Sequence, residues 1–359
     1  MVVASVRRMA RDEPSVAVVV INFNGGEIVE RCLEALARQS RPPDRTIVVD
    51  NASDDGSRDR IAARFPDVEL IRLDHNAGFA GANNVGVRAA EGCDWVALVN
   101  PDAFPEPTWL GRLLAEAVAR PQYSFFGSLL LRADDPEEVD GTGDAYHVGG
   151  MAWRRDNGRR LVEAHLEAGE IFSPCAAAAL YRREAFLRVG GFDEALFAYY
   201  EDSDLAFRLR LLGERCFYVP DAVVHHLGFS TAGEESPFTV YYSQRNLVWV
   251  WLKNMPASLL LAYLPQHLLV NLLNVGWYTA RGQAGSVLRS KVDALRGLPE
   301  VMRRRRELQR RRVVSARELR ARMEKGSGAY LTGFKRGWAT WRRRRAPQAA
   351  QSNRHTSPQ

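Results

Sequence analysis

The sequence predicts an α/β protein with a mostly parallel sheet and helices on both faces of that sheet. Two observations lead to this prediction. Apolar strand-like runs alternate with helix-like segments through the first 100 residues, and a polar loop follows each run. Continuous apolar runs are typical of strands buried on both faces, and alternation of strand and helix places helices on the two sides of a parallel sheet.

The elements follow one another in a regular order. The run VAVVVI at 16–21 has no polar alternation, and the segment 27–38 has apolar residues at helical spacing. The predicted strands of the first half are 16–21, 46–49, 68–73 and 95–99, and its predicted helices are 27–38, 57–65 and 80–90. Later predicted strands are 127–131, 176–181 and 216–219, and later predicted helices are 201–212 and 238–254.

Polar residues cluster where the four early strands end. The clusters are Asn22 with Asn24, residues 50–55, residues 76–84 and residues 100–102. Ligands of parallel α/β sheets bind at the carboxyl ends of the strands. The loop 76–86 lacks the GxGxxG pattern, which disfavours nicotinamide chemistry, and its position before a helix favours phosphate or sugar hydroxyls.

An acidic cluster and a late histidine pair carry the chemical signal. Glu201 and Asp202 open the predicted helix 201–212, and His225-His226 follow about 24 residues later. Such groups can supply a general base and a metal ligand, and Asp102 adds an oxygen ligand suited to Mg²⁺ or Mn²⁺. Each pattern alone also fits a structural role, as helix-start charges, a turn or polar residues at a strand end. Their occurrence together favours chemistry on a metal-bound diphosphate.

Composition limits the class of protein. The 359 residues are 46% hydrophobic, enough for a full core. The four cysteines form no CxxC pair, which argues against structural zinc and a disulfide framework and fits a reducing compartment. The first residues contain no apolar core of signal-peptide length, so no secretion is expected.

Charge is distributed unevenly along the chain. Residues 289–359 contain 21 Lys/Arg and 5 Asp/Glu, whereas the whole chain has a net charge of only +6. A basic tail of this kind binds polyanions, and Trp338 and Trp341 beside the second RRRR run favour an anionic membrane surface. No nucleic-acid partner is expected.

The stretch 257–280 is the most apolar of the chain. Gln266, His267, Asn271 and Asn274 interrupt it, so we expect it to lie in the membrane interface rather than to span the bilayer. The alternative is a helix packed on the core of the protein itself.

Six motifs in one order resemble a known family. They are VVVINFN, VVDNASDDGS, NAGFAGANN, VNPD, GGFDEALFAYYEDSDLAFR and PDAVVHH. From about residue 16 to 254 the chain resembles family-two glycosyltransferases with a GT-A fold, in which a Rossmann-like, mostly parallel sheet binds the nucleotide. It is most similar to the bacterial rhamnosyltransferase-like branch.

The resemblance implies a role for each matching residue. Asp202 matches the catalytic base, with Glu201 as the next candidate, and Asp102 and His226 match the metal ligands. Asp50 and the backbone near 22–24 are implied to hold the nucleotide base. The implied nucleotide-sugar-binding residues are Asn22, Asn24, Asp50, Asn51, Ser53, Asn76, Gly78, Phe79, Asn83 and Asn100.

Two positions stand apart from these roles. Asn100 replaces the first aspartate of the DXD metal motif, and its neutral oxygen should hold a metal more weakly or leave more of the binding to the diphosphate. Relatives also carry the pair Arg245-Asn246, to which the resemblance gives no role.

The resemblance also implies a domain plan. We expect a flexible N-terminus at 1–14 and a GT-A domain at 15–236, divided into a nucleotide-sugar half (15–104) and an acceptor and catalytic half (105–236). A helical, membrane-associating C-terminal region (237–330) and a basic, largely disordered tail (331–359) should follow.

The expected reaction is inverting sugar transfer with a divalent metal. The preferred donor is dTDP-rhamnose, and UDP-linked galactofuranose, glucose or N-acetylglucosamine are alternatives. A lipid-linked or cell-envelope glycan would be the acceptor, at the cytoplasmic face of the inner membrane, with the enzyme peripheral or monotopic.

Two rival functions remain. A nucleotidyltransferase would need a basic Gly-rich loop near the N-terminus, and residues 22–26 contain no Lys or Arg. A non-catalytic basic protein that binds membranes or polyanions would leave the carboxylate and histidine pattern unexplained.

Overall fold

A computed structural model describes residues 13–228 and 236–326. In this part of the chain, the strands are β1 (Val16–Asn22), β2 (Arg45–Asp50), β3 (Glu69–Arg72), β4 (Trp95–Val99), β5 (Ala103–Pro105), β6 (Phe125–Arg132), β7 (Val139–Gly141), β8 (Asp144–Tyr146), β9 (Ala152–Arg154), β10 (Gly169–Ile171), β11 (Ala178–Arg182) and β12 (Cys216–His226). The helices are α1 (Ile28–Ala37), α2 (Ser57–Arg64), α3 (Gly78–Ala89), α4 (Trp109–Ala119), α5 (Arg183–Arg188), α6 (Glu201–Leu211), α7 (Pro237–Asn254), α8 (Ala257–Ala280), α9 (Ala284–Arg296), α10 (Leu298–Arg311) and α11 (Ala316–Ala321).

A central sheet organises the molecule. Its strand order is β10-β12-β6-β11-β4-β1-β2-β3, with β5 beside β12 and β7 beside β6. The strands β1 to β4 are parallel, and β11 is antiparallel to both β4 and β6. Because β12 is parallel to β6, the strands β1 to β4, β6 and β12 all end at the same edge. The predicted α/β fold class is therefore confirmed.

Both faces of the sheet are buried, as the apolar runs predict. In β1, Val16, Val18 and Val20 belong to one hydrophobic cluster, and the alternate residues belong to a second cluster on the other face. Helices α1 and α4 supply the first cluster, and α3 and α6 supply the second. Alternation of side chains across a strand explains how one apolar run serves two cores.

The strand predicted at 216–219 is too short. In the structure, β12 continues to His226, so the histidine pair lies within the strand. Pro220 lacks an N–H and therefore resembles a strand end in sequence. The strand accommodates it by a register shift between Val219 and Val223, after which pairing with β6 resumes and pairing with β5 begins.

The predicted C-terminal helices are present. Ser236 precedes helix α7 as its N-cap, and its hydroxyl accepts a hydrogen bond from Thr239 N. Trp251 in α7 is fully buried and donates its indole N–H to Val148 O at 2.8 Å, in the connection between β8 and β9. The predicted interface tryptophans, Trp338 and Trp341, lie outside the described residues, as does the whole of the predicted tail at 331–359.

One carboxylate joins three basic side chains at the end of the sheet. Glu170 in β10 accepts hydrogen bonds from Arg210 (3.0 Å), Arg215 (2.7 Å) and Arg322 (2.6 Å). Burial raises the pKa of Glu170, but the three arginines outweigh it and lower the pKa to about 2. A depressed carboxyl pKa stabilises the fold above the unfolded-state pKa, and that contribution is lost as the pH falls through the folded-state pKa.

Glu170→Gln should therefore lower the free energy of unfolding at pH 7 by about 1–3 kcal/mol, because hydrogen bonds to a charged group are lost. The difference from the wild type should shrink as the pH falls from 4.5 towards 2. Urea unfolding across this range measures both, with the exposed Glu163→Gln as the control. A difference that is independent of pH would contradict the assignment.

Candidate active site

The first loop of the site is held by one asparagine. Asn22 pairs with Asp50 in the parallel β1–β2 register, and its Nδ2 lies 2.8 Å from Asp50 Oδ1, 3.1 Å from Ser53 Oγ and 2.9 Å from Ser57 Oγ. Asp50 is fully buried, and its second oxygen accepts a hydrogen bond from Ser53 N. Asn24, in contrast, is exposed. A direct contact between Asp50 and a nucleotide base would thus require the loop to open.

A second asparagine joins two loops. Asn51 Nδ2 donates to Asn76 Oδ1 at 2.9 Å, and Asn51 Oδ1 accepts from Ala77 N at 2.8 Å. Gly78 N donates to the same Asn76 oxygen at 2.8 Å, at the start of α3. Three predicted site residues from two strand ends are thereby brought together beside a helix N-terminus.

Asn83 and Phe79 have more local contacts. Asn83 is buried within α3, and its amide donates to Phe79 O one turn earlier at 2.9 Å. The Phe79 ring packs on Phe192, with centroids 5.9 Å apart. The Asn83 amide therefore donates to the backbone of its own helix and does not reach the loops.

Gly78 touches the segment that leads to the acidic cluster. Its φ is +72°, and a Cβ atom there would lie 2.6 Å from the Phe197 ring and 2.7 Å from Phe197 O. Both the left-handed conformation and the close contact require glycine. The loop that ends at Gly78 is consequently packed against the segment that precedes the acidic cluster.

The approach to α6 is strained. Phe197, Tyr199 and Tyr200 all have positive φ angles, of 66°, 66° and 69°. Large residues rarely adopt this conformation, and such strain persists only where the surroundings hold it. Asn246 in α7 provides that restraint: its amide donates to the carbonyl oxygens of Leu196, Ala198 and Tyr199 at 2.8–2.9 Å.

Arg245 completes the support. Its guanidinium donates to Ala195 O at 2.7 Å and to Leu196 O at 3.1 Å, and its Nε donates to Asn246 Oδ1. Arg245 and Asn246, to which the family resemblance assigned no role, therefore hold the loop 195–199 that precedes α6.

Two residues that the sequence did not indicate join Asp202. The ligand atoms of Asp144, Cys175 and Asp202 all lie within 4.8 Å of one another. Asp202 is half-buried, and Asp144 and Glu201 are buried. Burial raises the pKa of Asp202, and burial together with the Asp202 charge raises those of Asp144 and Glu201 well above their ordinary range. For Asp144 the available signal was the DGTGD segment at 140–144, and turn residues alone do not indicate a site.

The late histidine meets the early aspartate through strand pairing. The β12–β5 register places His226 opposite Ala103, next to Asp102, and Leu227 N donates to Asp102 O at 3.0 Å. His226 Nε2 lies 3.4 Å from Asp102 Oδ1, while Nδ1 lies 2.8 Å from Asp140 Oδ2. Burial lowers the pKa of His226, but the two carboxylates outweigh it and raise the pKa.

This arrangement could hold a hard cation. His226 Nε2 is buried and makes no hydrogen bond among the described residues. Asn100 Oδ1 is likewise buried without a hydrogen bond in this part of the chain. A carboxylate bonded to the other ring nitrogen, as Asp140 is here, fixes the ring orientation of metal-ligating histidines. His225 lies on the other face of the strand, where its Nε2 is 3.1 Å from Glu106.

The charge of Arg154 acts both on Asp140, the partner of His226, and on the pair Asp144 and Asp202. Arg154 forms an ion pair with Asp140, and its charge opposes the effect of burial on the pKa of Asp202. A surface cavity of about 300 Å³ lies elsewhere, against Arg31, Phe104 and His225, and none of the predicted site residues line it. Arg154 thus acts on the predicted base directly and is linked through Asp140 to His226, one of the predicted metal ligands. The asparagine loops lie at the ends of β1 to β3.

Comparison with known proteins gives a consistent picture. Residues 17–190 match the family model described as glycosyl transferase family 2. The N-acetylglucosaminyl-diphospho-decaprenol L-rhamnosyltransferase of Mycobacterium tuberculosis is 32% identical, over 60% of this chain and 76% of its own length. The galactofuranosyltransferase GlfT1 of Mycolicibacterium smegmatis is 26% identical, over 54% of this chain and 65% of its own.

A solved structure shares the fold. The mannosyltransferase PcManGT from Pyrobaculum calidifontis, in complex with GDP-Man and Mn²⁺, superposes with a TM-score of 0.50 at 21% identity. The match covers 92% of this chain and 83% of that one. At this identity, the likeness concerns the fold alone.

Asn246→Ala should release the strained loop. Three carbonyl oxygens would lose a hydrogen bond, although Leu196 O would still accept one from Arg245, so we expect a loss of about 1–3 kcal/mol in the free energy of unfolding. Hydrogen exchange of the amides at 195–202 should become faster than in the wild type. Asn271→Ala, which removes a hydrogen-bonded asparagine from α8, is the control and should leave exchange at 195–202 as it is. Equal exchange in the Asn246 variant and the wild type would contradict the role.

Proposed function

Because this chain belongs to glycosyltransferase family 2 and is rhamnosyltransferase-like, we propose that it transfers a sugar with inversion from a nucleoside diphosphate donor. The acceptor is a hydroxyl of a lipid-linked or cell-envelope glycan. The observation that carries this proposal is the half-buried Asp202 in a cluster of buried acids, joined through Arg154 and Asp140 to the pair Asp102 and His226. A plain nucleotide-binding protein needs no such cluster.

Asp202 is the proposed general base. It is the most exposed of the three neighbouring acids, so it alone can reach an acceptor hydroxyl without a rearrangement. Its raised pKa brings it closer to the working pH, where a general base is most effective. The hydroxyl oxygen attacks the anomeric carbon, its proton passes to Asp202, and the bond to the diphosphate breaks on the opposite face.

Asp102 and His226 are proposed to hold a divalent metal, Mg²⁺ or Mn²⁺. The buried His226 nitrogen without a hydrogen bond and the adjacent carboxylate fit such an ion. When bound, the metal would neutralise negative charge on the departing diphosphate. The protein's own contribution is to keep the imidazole oriented, through Asp140 at Nδ1.

The preferred donor is dTDP-rhamnose. The Mycobacterium tuberculosis relative is a rhamnosyltransferase, which supports rhamnose, and the galactofuranosyltransferase GlfT1 keeps galactofuranose as an alternative. Glucose and N-acetylglucosamine donors linked to UDP stay as further alternatives. We propose that the donor is contacted by Asn24, Asn51, Asn76 and Gly78. Asp50 either holds the loop behind them in place or contacts the nucleotide base after the loop opens.

The function is tested with purified full-length protein and a panel of nucleotide-sugars, with Mg²⁺, with Mn²⁺ or with a chelator. We expect metal-dependent release of one nucleoside diphosphate, accompanied by a product of inverted anomeric configuration. Retained configuration would contradict the mechanism. Release that is unaffected by the chelator would contradict the metal assignment.

Asp202→Asn should reduce transfer by about 10²–10⁴-fold, the typical contribution of a positioned base. Glu201→Gln tests the second candidate, and Asp59→Asn, an exposed change on α2, is the control. Near wild-type turnover of the Asp202 variant combined with loss in the Glu201 variant would move the base to Glu201.

Helix α8 supports a location at the membrane. Helices of globular proteins turn their apolar face inward, but α8 buries only Leu259 and Val270 of its apolar residues and leaves several leucines exposed. Its exposed residues include Leu261 (72%), Leu268 (59%) and Leu272 (68%), whereas His267 and Asn274 are buried. By length and composition, α8 is apolar enough to cross a membrane, and only 22% of its apolar window is buried.

Contacts along α8 favour lying in the interface over crossing the bilayer. His267 stacks on Trp251 at 3.9 Å, with Nδ1 2.8 Å from Gly149 O, and Asn271 Oδ1 accepts from Lys291 at 2.7 Å. We propose that the outer face of α8 enters the cytoplasmic face of the inner membrane, with the region 237–330 as the membrane-associating part. Residues 327–359 add seven Lys/Arg and no Asp/Glu for anionic headgroups.

Flotation with anionic liposomes tests this surface. Leu268→Glu with Leu272→Glu should lower the partition constant at least about tenfold, since two leucines leave the lipid and two negative charges enter. The matched control is Val118→Glu with Val162→Glu, which changes two exposed apolar residues elsewhere. A chain that ends at residue 326 measures the contribution of the basic tail. Equal recovery of the leucine variant and its control in the lipid fraction would contradict the α8 surface.

A further inference from the structure

We propose that Asp144 is a positioning residue that keeps its proton and donates a hydrogen bond to the carboxylate of Asp202. This inference rests on the proposed role of Asp202 as the base. Asp144 would fix the orientation of that carboxylate, so that one oxygen remains available to the acceptor hydroxyl.

The backbone holds Asp144 in place. It begins β8 and pairs with Arg154 in β9, while Asp144 N donates to Ser173 O at 2.7 Å and Ser173 N donates to Asp144 O at 3.3 Å. Ser173 Oγ in turn lies 3.5 Å from Asp202 O. A Cβ at Gly143, where φ is +89°, would lie only 2.4 Å from Ile171, so the preceding turn requires glycine. Asp144 is thus hydrogen-bonded to Ser173, whose side chain lies next to the Asp202 backbone.

Burial makes two charges at this point unfavourable. Asp144 is 6% exposed, and its Oδ1 has no hydrogen-bond partner among the described residues. Two ionised carboxylates within 4.8 Å in a buried setting repel strongly, and one shared proton removes the repulsion. The proton belongs on the more buried partner, because water stabilises the charge of the more exposed Asp202.

The neighbouring titratable groups do not offer Asp144 a counter-ion of its own. Burial raises the pKa of Cys175, Cys216 and Tyr181, so all three are neutral at pH 7. Burial and the charge of Asp202 likewise raise the pKa of Glu201 well above its ordinary range. Among the groups that act on Asp144, the cation is Arg154, and it already forms an ion pair with Asp140.

The hydrogen bond would complete the orientation of the base. Ser203 N already donates to Asp202 Oδ1 at 2.6 Å. A second donor, from Asp144, restricts rotation of the carboxylate and stabilises its ionised form before the acceptor arrives. The same three ligand atoms could instead surround a cation, in which case Asp144 would be ionised.

Infrared difference spectra distinguish these states without any measurement of activity. The spectrum of wild-type protein minus that of Asp144→Asn at pH 7 should contain the C=O band of a protonated carboxylic acid, with and without Mn²⁺. A difference spectrum that contains only ionised-carboxylate bands would overturn the inference, whether or not the protein is a glycosyltransferase.

Two substitutions then test the positioning role. Asp144→Leu removes the donor, so kcat/KM should fall about tenfold or more and its acidic limb should move to higher pH, because the Asp202 anion loses a hydrogen bond. Asp144→Asn restores an N–H donor and should recover most of the loss and return the limb. Thermal unfolding of both variants checks that the fold persists.

The outcomes separate the inference from the proposed function. If the Asn variant were as impaired as Asp202→Asn, the carboxyl group itself would be required and the inference would be wrong. If Asp202→Asn kept wild-type turnover, the base assignment would fail first, and the infrared result would still report the proton on Asp144.

Discussion

The concentration of buried carboxylates at one sheet edge is the constraint on which the site depends. Asp102, Asp140 and Asp144 all lie there, with the start of α6 beside them. Unpaired buried charge is costly, so each carboxylate must find a cation, keep a proton or bind a metal. Arg154 forms an ion pair with Asp140, and His226 lies between Asp140 and Asp102 as a polar partner of both. The proposed metal site and the proposed base with its raised pKa both follow from this one electrostatic arrangement.

The C-terminal helices connect this edge to the rest of the molecule. Arg245 and Asn246 in α7 hold the strained loop before α6, and Trp251 in the same helix contacts the connection between β8 and β9. His267 in α8 contacts that connection as well, at Gly149. The hairpin that carries Asp144 and Arg154 therefore rests on the helix whose leucines are exposed, which places the proposed chemistry close to the proposed membrane surface.

Much of the fold could be predicted because its signals are local. The strands at β1 and β4 are uniformly apolar, and helix and strand alternate with clear polar boundaries, so their predicted ends differ from the observed ends by a few residues at most. The length of β12 could not be predicted in this way. Pro220 resembles a strand end, and it is pairing with β6 and β5 that extends the strand to His226. Asp144 and Arg154 were missed for a similar reason: short strands in a Gly-rich segment have no periodicity to detect.

The sequence by itself determined the fold class, the order of the elements and the residue types that follow each parallel strand, since apolar periodicity and turn chemistry act over a few residues. It also singled out Asp102, Asp202 and His226, whose relevance comes from their motifs. Only the tertiary structure decided which side chains meet: the β12–β5 register brings His226 to Asp102, and β8 brings Asp144 to Asp202. Burial, and with it the protonation of each acid, depends on contacts between segments far apart in the chain, and no local pattern encodes them.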